Sequence, residues 1–364
     1  MTALPASPPS HTNQSLTCIA RFPNLRALAW NGDQLYAARG YQLLCAQIKN
    51  PAEINWQPVG AFHPPFRRKL SVATNLTARL FRDGFHALAT LTDGSLVAAV
   101  PGAIITLRPG EKDFCITHAI TRGTRPLHIT AVPGGAVYWG EYFDNPHRDE
   151  VHIYASTDSG QSWNVAYTFP KVAIRHVHNT VHDPWANCLW ILTGDYGDEC
   201  RILRASLNLR EVEPLLQGNQ QTRAVALVPA EDALYFSTDT PLESNFIYRL
   251  ERTGNLTRLA PISSSSIYGC RAGNEIFFST MVEPSKANPD QNVRIYGGRS
   301  NEEWFPLLAW EKDRWPQRYF QYGNAFLPDG NNNTEFLALS TIAVTNDDMA
   351  TSLYQWKSGA SAPR

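Results

Sequence analysis

The chain has 364 residues, of which 43% are hydrophobic and 18% charged, and its formal net charge is -1 at pH 7. This composition is typical of a folded chain and excludes extensive disorder. It also lacks the basic excess with which nucleic-acid-binding domains attract phosphates. No apolar run reaches the roughly 18 residues of a membrane helix, and the N-terminal segment has no secretory signal. The sequence therefore predicts a cytoplasmic protein with neither a nucleic acid nor a membrane as its partner.

Seven units of similar pattern follow a single strand-like run, SLTCIARFP, which begins at Ser15. Each unit opens with two apolar runs joined by a Gly, Asp or Asn turn, which is the pattern of a β-hairpin. The hairpins begin at Leu25, Phe85, Leu127, His176, Arg223, Ser266 and Gln321. A third and a fourth strand follow each hairpin, except that the seventh unit has no fourth strand.

The missing last strand and the unpaired first strand predict a closed ring. We therefore expect an all-β fold, a seven-bladed β-propeller of four-stranded blades in which the N-terminal strand completes the last blade. Six or eight blades remain alternatives, because an insertion at 281–292 lengthens the sixth unit. The predicted organisation is a disordered tail at 1–14, a single propeller domain at 15–357 and a C-terminal tail at 358–364.

A short motif between two strands of the third unit contains Ser156, Asp158, Gly160 and Trp163. Asp and Ser side chains accept hydrogen bonds from nearby backbone N–H groups, and glycine permits a positive φ, so the motif predicts a tight hairpin turn. It resembles the Asp-box of sialidases and related BNR-repeat propellers. In that family the motif is structural and lies on the face opposite the binding site.

The first strand of each propeller blade lines the central channel, so the start of that strand and the end of the second strand meet at one mouth. Polar side chains are concentrated there. The candidates for catalysis are His176, His128, Glu141, Tyr142, Asp195 and Tyr268. The candidates for substrate binding are Arg175, Arg223, Arg26, Asp239 and Tyr322. A polar, solvated channel is the alternative interpretation of the same residues.

Three histidines begin innermost strands, and the segment RHVHNTVHDP adds a His-x-His pair. His176 and His178 point to one side of an extended strand. Neutral imidazoles are good ligands for divalent transition metals. The predicted metal ligands are His86, His128, His176 and His178, and the predicted cofactor is a divalent metal held by these histidines.

The resemblance to sialidases implies three arginines on a substrate carboxylate and a Tyr–Glu nucleophilic pair. Arg21 would be the first arginine, and Arg175, Arg223 or Arg299 would supply the others. Tyr322 or Tyr268 would pair with Glu141 or Glu283. The chain departs from that family in its blade number and in its histidines, which have no role there.

Seven-bladed polysaccharide lyases are similar in architecture and in residue types. That similarity implies Arg175 and Arg223 on the carboxylate of a uronic acid, His176 or His128 as base and Tyr142 or Tyr268 as acid. The leading hypothesis is thus a glycoside hydrolase or polysaccharide lyase that acts on an acidic oligosaccharide or another small molecule. The alternatives are a non-catalytic propeller that binds sugar or protein, and a metal-dependent hydrolase.

Overall fold

The computed structural model describes residues 15–50, 53–299 and 303–357. The two predicted tails, 1–14 and 358–364, lie outside the described residues. The described strands form seven sheets in chain order, and successive sheets contact one another around a ring. The prediction of a seven-bladed β-propeller with four-stranded blades is therefore confirmed, and the alternatives of six and eight blades are wrong.

The first strand of the chain, β1, spans Ser15–Pro23 and belongs to the last blade. Blade 1 contains β2 (Arg26–Gly32), β3 (Gln34–Arg39), β4 (Gln42–Gln47) and β5 (Gln57–Ala61). Blade 2 contains β6 (Ala87–Thr90), β7 (Leu96–Val100), β8 (Ala103–Leu107) and β9 (Cys115–Ala119). Blade 3 contains β10 (Thr130–Ala131), β11 (Val137–Gly140), β12 (Val151–Ser156) and β13 (Asn164–Phe169).

The second half of the ring repeats this order. Blade 4 contains β14 (His176–Asp183), β15 (Cys188–Gly194), β16 (Arg201–Ala205) and β17 (Val212–Gln217). Blade 5 contains β18 (Ala224–Pro229), β19 (Leu234–Thr238), β20 (Asn245–Leu250) and β21 (Leu256–Ile262). Blade 6 contains β22 (Ser266–Ala272), β23 (Glu275–Thr280), β24 (Asn292–Gly298) and β25 (Phe305–Glu311).

Blade 7 joins the two ends of the domain, as the sequence predicts. The remaining strands are β26 (Asn324–Phe326), β27 (Asp329–Asn332), β28 (Phe336–Ile342) and β29 (Ala350–Lys357). The strand order in this blade is β1-β29-β28-β26, so the N-terminal strand is the outermost one and pairs antiparallel with β29. This pairing ties residues separated by more than 300 positions.

The strand β27 is an unpredicted addition to blade 1. It runs parallel to β2, with Ala29 opposite Asp329, and makes that sheet five-stranded. Gly330 allows the close approach, because its φ is +87° and a Cβ there would lie 2.2 Å from the Trp30 carbonyl oxygen. The sequence pattern places this segment in a hairpin turn. In the structure it leaves its own blade and contacts the neighbouring one.

Short helices occupy the connections next to the mouth. They are α1 (Phe66–Ser71), α2 (Asn75–Phe81) and α3 (Gln317–Phe320), with single 3-10 turns at Gly197–Glu199 and Gln220–Thr222. α2 contacts both α1 and α3. Thr74 begins α2 with a capping box shared with Thr77. In the part of the chain that the structure describes, no helix is long and apolar enough to cross a membrane.

The core consists of apolar side chains packed between neighbouring blades. Tyr235 of blade 5 and Phe278 of blade 6, for example, share one buried cluster. A register shift recurs near the mouth in the first hairpin of four blades, next to Ala27, Val177, Ala224 and Ser266. β-bulges of this kind redirect individual side chains, so they help to determine which residues face the channel.

Candidate functional site

An axial cavity of about 550 Å³ opens at the predicted mouth. Its wall combines residues from the starts of innermost strands with residues that follow the second strands, as expected for a propeller. The lining residues used below are Arg26, His86, Arg125, Tyr142, His178, Arg223, Asp239, Tyr268, Glu283 and Tyr322. Eight of the predicted site residues are therefore part of one cavity wall, and the others lie behind it or apart from it.

One side of this cavity is formed by blades 4 and 5. His176 and His178 lie on β14, and Asp195 follows β15 in the same blade. The Nε2 atoms of the two histidines are 3.1 Å apart, and Oδ1 of Asp195 is 3.2 Å from His178 and 3.4 Å from His176. All three residues are buried. We call these three side chains, together with Arg175 and Arg223, the Asp195 cluster.

Asp195 is the centre of this cluster because two guanidiniums also contact it. Nη1 of Arg175 donates to Oδ2 of Asp195 at 3.0 Å, and Nη2 of Arg223 lies 3.2 Å from Oδ1. Burial opposes the charge of Asp195, but its contacts with His176 and His178 and the charge of Arg223 hold the pKa of its carboxyl far below the usual range. Asp195 is therefore a permanent carboxylate.

Further carboxylates contact the outer sides of these two arginines. Arg175 also donates to the exposed Asp144, and Arg223 donates to Asp239 at 3.2 Å. Burial raises the pKa of the Asp239 carboxyl to about 7 despite the attraction of Arg223, with Glu283 and Asp195 adding to the rise. The charges on this side are thus paired within the protein, and Asp239 titrates close to neutral pH.

Tyr142 connects the Asp195 cluster to the cavity. Its ring lies 4.3 Å from that of His176 and 6.3 Å from that of His178, centroid to centroid. Burial and the nearby charges of Asp239 and Asp195 raise the pKa of its hydroxyl. A phenol with a raised pKa stays protonated and presents a hydrogen-bond donor to the cavity.

The opposite side of the cavity has two arginines, Arg26 and Arg125, that form no ion pair with a carboxylate among the described residues. The Arg26 guanidinium lies 3.9 Å from the centroid of the Phe326 ring and donates to the backbone oxygen of His86 at 3.3 Å. Arg125 forms no hydrogen bond or ion pair with any residue that the structure describes. Burial, followed by the nearby charge of Arg26, lowers the pKa of Arg125 to about 10. We call Arg26, His86 and Arg125 the Arg125 side.

His86 and Tyr268 complete this surface. The Nε2 atom of His86 is buried without a hydrogen-bond partner among the described residues. Burial, then the charges of Arg125 and Arg26, lowers the pKa of His86 well below its usual value. Burial raises the pKa of Tyr268, although Arg26 opposes the rise. A neutral imidazole and a protonated phenol therefore flank the two guanidiniums.

Two predicted site residues, His128 and Glu141, lie outside both the cavity lining and the Asp195 cluster. His128 is buried, contacts Tyr268 with ring centroids 6.0 Å apart, and forms an ion pair with Asp329 at 3.0 Å. Glu141 is buried and accepts hydrogen bonds from Arg122 and, at 2.8 Å, from the backbone N–H of His152. Adjacent residues of extended backbone point to opposite sides, so Tyr142 lines the cavity and Glu141 does not.

The structure brings His176, His178 and Asp195 together and leaves the other predicted metal ligands outside this group. Neither His86 nor His128 belongs to a cluster of three metal-ligating groups in the described chain, whereas His176, His178 and Asp195 do. Sequence reasoning placed Asp195 among the catalytic candidates and not among the ligands. The sequence did contain a signal that Asp195 is a ligand, because Asp195 follows the strand that pairs with β14 and therefore ends beside His176 and His178.

Sequence reasoning missed the contribution of the helical connection between blades 1 and 2. Asn75, Ala78, Arg82 and Asp83 from this segment line the cavity. Asp83 accepts hydrogen bonds from Tyr41, from Arg68 at 3.1 Å and from Ser71 at 2.5 Å. The one available signal was the length of the segment, which has no alternating strand pattern.

The predicted turn at Ser156–Trp163 has the expected local geometry. Ser156 Oγ donates to Asp158 Oδ1 at 2.7 Å and accepts from the Gly160 N–H at 2.8 Å, and Gly160 has a φ of +82°. The Trp163 indole donates to Thr117 Oγ1 at 3.2 Å across to blade 2. The turn therefore connects two blades, and none of its residues lines the axial cavity.

Comparison with known proteins shows the fold and no closer relationship. No family model matches the chain, and no curated protein matches it. Among solved structures, a chain of the mitotic checkpoint complex matches with a TM-score of 0.59 at 10% identity, over 98% of both chains. The WD40 β-propeller domain of Doa1 matches with a TM-score of 0.57 at 10% identity, over 94% of this chain and 97% of that one.

A third similar structure is the β-propeller domain of Cps50 (Swd1) from Myceliophteria thermophila. Its TM-score is 0.58 at 10% identity, and the match covers 93% of this chain and 99% of that one. The Doa1 domain is named as a WD40 propeller, and none of the three matched structures is named as a sialidase or BNR-repeat protein, so the predicted membership of the sialidase-like BNR-repeat propellers is wrong. The motif at 156–163 forms a tight hairpin turn through hydrogen bonds within the motif, and it does not identify a family.

The functional expectations that depended on sialidases are wrong as well. None of the three matched structures is named as a carbohydrate-active enzyme, and the expected glycosidase or lyase with an acidic oligosaccharide as its partner is therefore wrong. The site agrees with this correction. Arg21, the implied first carboxylate-binding arginine, lies on the outermost strand β1 and pairs with Asp347 at 2.8 Å. Glu141, one implied partner of the nucleophile, is engaged by Arg122 outside the cavity lining.

Proposed function

We propose that this chain is a non-catalytic propeller that binds an acidic, partly apolar segment of a partner protein at the axial cavity. The observation that carries the proposal is the pair of adjacent guanidiniums on the Arg125 side. Arg26 and Arg125 repel each other in a partly buried site, and neither forms an ion pair with a described residue. A carboxylate from a bound segment would relieve this repulsion through charge-assisted hydrogen bonds.

The rim of the cavity supports a polypeptide as the occupant. Phe66 and Leu70 of α1 are 73% and 54% exposed, and Leu76, Leu80 and Phe81 of α2 are also exposed. Residues four apart lie on one face of a helix, so each helix presents apolar side chains together. α2 also supplies cavity-lining residues, so the apolar surface adjoins the mouth. An apolar rim beside arginines is typical of protein interfaces.

The acidic groups Asp195 and Glu141 are already paired within the protein, which favours a binding function over catalysis. Asp195 is held by two arginines and two histidines, and Glu141 is held by Arg122 and a backbone N–H. General acid–base chemistry needs a group that is free to exchange a proton with substrate, and neither of these two predicted catalytic carboxyls is free in this way. In addition, the similar chain of the mitotic checkpoint complex belongs to a protein assembly, as its name states.

We further propose that residues 15–357 form a single domain.

Fluorescence anisotropy with labelled decapeptides tests this proposal. The probes are a peptide of alternating Glu and Leu, its Gln–Leu analogue and its Lys–Leu analogue. We expect the Glu–Leu peptide to bind most tightly, and Arg125→Gln to weaken it about tenfold, or roughly 1.4 kcal/mol. Arg108→Gln is the matched control, because Arg108 follows β8, is exposed, and lies outside the cavity lining.

Three outcomes would overturn the proposal. The first is equal affinity for the Glu–Leu and Gln–Leu peptides, since the carboxylate would then have no role. The second is the absence of any anisotropy change with all three peptides up to about 1 mM, a concentration that detects even weak complexes. Equal loss of affinity in the Arg125 and Arg108 variants would place the binding site outside the cavity.

A further inference from the structure

Three metal-ligating atoms converge in the Asp195 cluster. The Nε2 atoms of His176 and His178 are 3.1 Å apart, and Asp195 Oδ1 lies 3.2 and 3.4 Å from them. The side chains are only 6%, 2% and 9% exposed, respectively. Water therefore has little access to the space between these atoms, and their mutual repulsion is weakly screened.

The hydrogen bonds on the far side of each ring determine where the protons are. His176 Nδ1 is 3.1 Å from the Phe143 carbonyl oxygen, and His178 Nδ1 is 2.9 Å from the Ala224 carbonyl oxygen. A carbonyl oxygen only accepts, so each Nδ1 carries a proton, and in the neutral form of each ring the lone pair is at Nε2. Two nitrogen lone pairs and a carboxylate oxygen thus face one another, an arrangement that a cation between them would stabilise.

The spacing of the three atoms matches a tetrahedral metal centre. Ligands bonded to zinc at about 2.0–2.1 Å lie roughly 3.3–3.4 Å from one another, and the observed separations run from 3.1 to 3.4 Å. The backbone carbonyls on both Nδ1 atoms are the usual outer contacts of metal-bound histidines. Two imidazoles and one carboxylate are also a donor set that suits zinc and similar divalent ions.

The backbone around the cluster is shaped to admit this arrangement. His178 lies at the register shift between Val177 and Asn179, where a bulge redirects its side chain. Gly194 immediately precedes Asp195, and a Cβ at Gly194 would lie 2.6 Å from Cε1 of His178. Any other residue at this position would push the imidazole away from Asp195.

The surrounding charges permit a cation even though two arginines are adjacent. Arg175 is shared between Asp195 and Asp144, and Arg223 is shared between Asp195 and Asp239. Three carboxylates therefore surround two guanidiniums. Each guanidinium has a second anionic partner. Arg175 contacts Oδ2 of Asp195, and Arg223 lies 3.2 Å from Oδ1. A carboxylate oxygen has two lone pairs, so Oδ1 can accept from Arg223 and also bind a metal ion.

We propose that His176, His178 and Asp195 form a binding site for one divalent transition-metal ion, with zinc the best match to the ligands and their spacing. The site joins the first two strands of blade 4 and, through the Ala224 carbonyl, contacts blade 5. It is independent of the proposed peptide binding, which depends on the Arg125 side. A metal ion here would rigidify one wall of the cavity.

Metal analysis of the full-length protein tests this site. The protein is stripped with a chelator, dialysed against Zn²⁺ or Co²⁺ and then against metal-free buffer. We expect about one equivalent of zinc by mass spectrometry, and visible absorption bands from bound cobalt, as for a tetrahedral site. His178→Gln should reduce the bound metal at least about tenfold. The matched control is His128→Gln, since His128 is also buried beside a carboxylate but belongs to no such cluster.

The wild-type result decides the proposal even if a variant fails to fold. Folded wild-type protein that retains less than about a tenth of an equivalent of both metals would overturn it, because a site with three ligands binds tightly. Equal metal content in the folded His178 and His128 variants would also overturn it. Loss of metal in the His178 variant but not in the His128 variant would support the proposal, independently of the result of the peptide-binding measurement.

Discussion

The two sides of the axial cavity differ in how their charges are compensated. In the Asp195 cluster, Arg175 and Arg223 each contact two carboxylates, and the acid is held by four basic side chains. On the Arg125 side, Arg26 and Arg125 are adjacent and have no carboxylate partner among the described residues. The comparison separates two uses of buried charge. Paired charges stabilise the wall, whereas unpaired charges of one sign leave a site that an anionic ligand can complete.

Removal of Asp195 should produce the largest effect. Asp195→Ala leaves two partly buried guanidiniums short of a partner, and the expected loss is about 3–5 kcal/mol of unfolding free energy. Urea unfolding at pH 7 with a chelator present isolates this loss from any metal effect. Asp144→Ala is the control, because Asp144 contacts the same Arg175 but is 76% exposed. Equal losses of unfolding free energy in the two variants would show that burial of the cluster does not contribute to stability.

The titration of Asp239 tests how the charges are balanced on the side of the cavity that contains the Asp195 cluster. Its pKa is raised to about 7 in the folded protein and should be near 3.9 in the unfolded chain. Between these pH values the folded state holds a proton that the unfolded state has released. The resulting stability is complete below about pH 4 and is lost as the pH rises to about 7, with a slope of up to about 1.4 kcal/mol per pH unit.

Urea unfolding of Asp239→Asn between pH 4.5 and 7.5 measures this slope. The amide does not titrate, so the variant should gain stability relative to wild type as the pH rises. Asp232→Asn is the control, because Asp232 is a more exposed carboxylate that pairs with Arg249. A difference of the opposite sign would mean that the ion pair with Arg223 outweighs burial and keeps Asp239 ionised.

Removal of a charge from the Arg125 side should increase stability, whereas removal of Asp195 should decrease it. Arg125→Met removes one of two like charges, and we expect the free energy of unfolding to rise by about 0.5–1 kcal/mol at low salt. The gain should shrink in about 1 M salt, where charge repulsion is screened. Arg223→Met, which removes a compensated charge, should destabilise instead. A similar destabilisation in both variants would remove the distinction between the two sides.

The smallest effect is expected at the apolar rim. Leu70→Ser on α1 should weaken the Glu–Leu peptide about threefold and leave the unfolding free energy nearly unchanged, because Leu70 is 54% exposed. The anisotropy measurement described above checks this change. Val172→Ser is the control, since Val172 is 78% exposed and lies outside the cavity lining. Unchanged affinity in the Leu70 variant would limit the binding surface to the cavity.

Much of the architecture could be predicted because its determinants are local. The seven hairpins were visible as apolar runs separated by Gly, Asp or Asn turns, and the orphan strand at Ser15 indicated the closure that β1 and β29 provide. The strand β27 was missed because it pairs parallel to β2 in another blade. The helices α1 and α2 are six and seven residues long, too short for a helical period to be recognised.

The sequence by itself predicted seven blades, with six or eight as alternatives, and it determined the closure of the ring and the chemical types present at the mouth. These features follow from the two-residue period of strands and from turn chemistry, which act over a few residues. Only the tertiary structure decided which charges meet. His128 pairs with Asp329, 201 positions away, and Glu141 pairs with Arg122 while Tyr142 faces the cavity. A bulge or a one-residue shift reverses the direction of a side chain, so contacts between blades depend on three-dimensional packing.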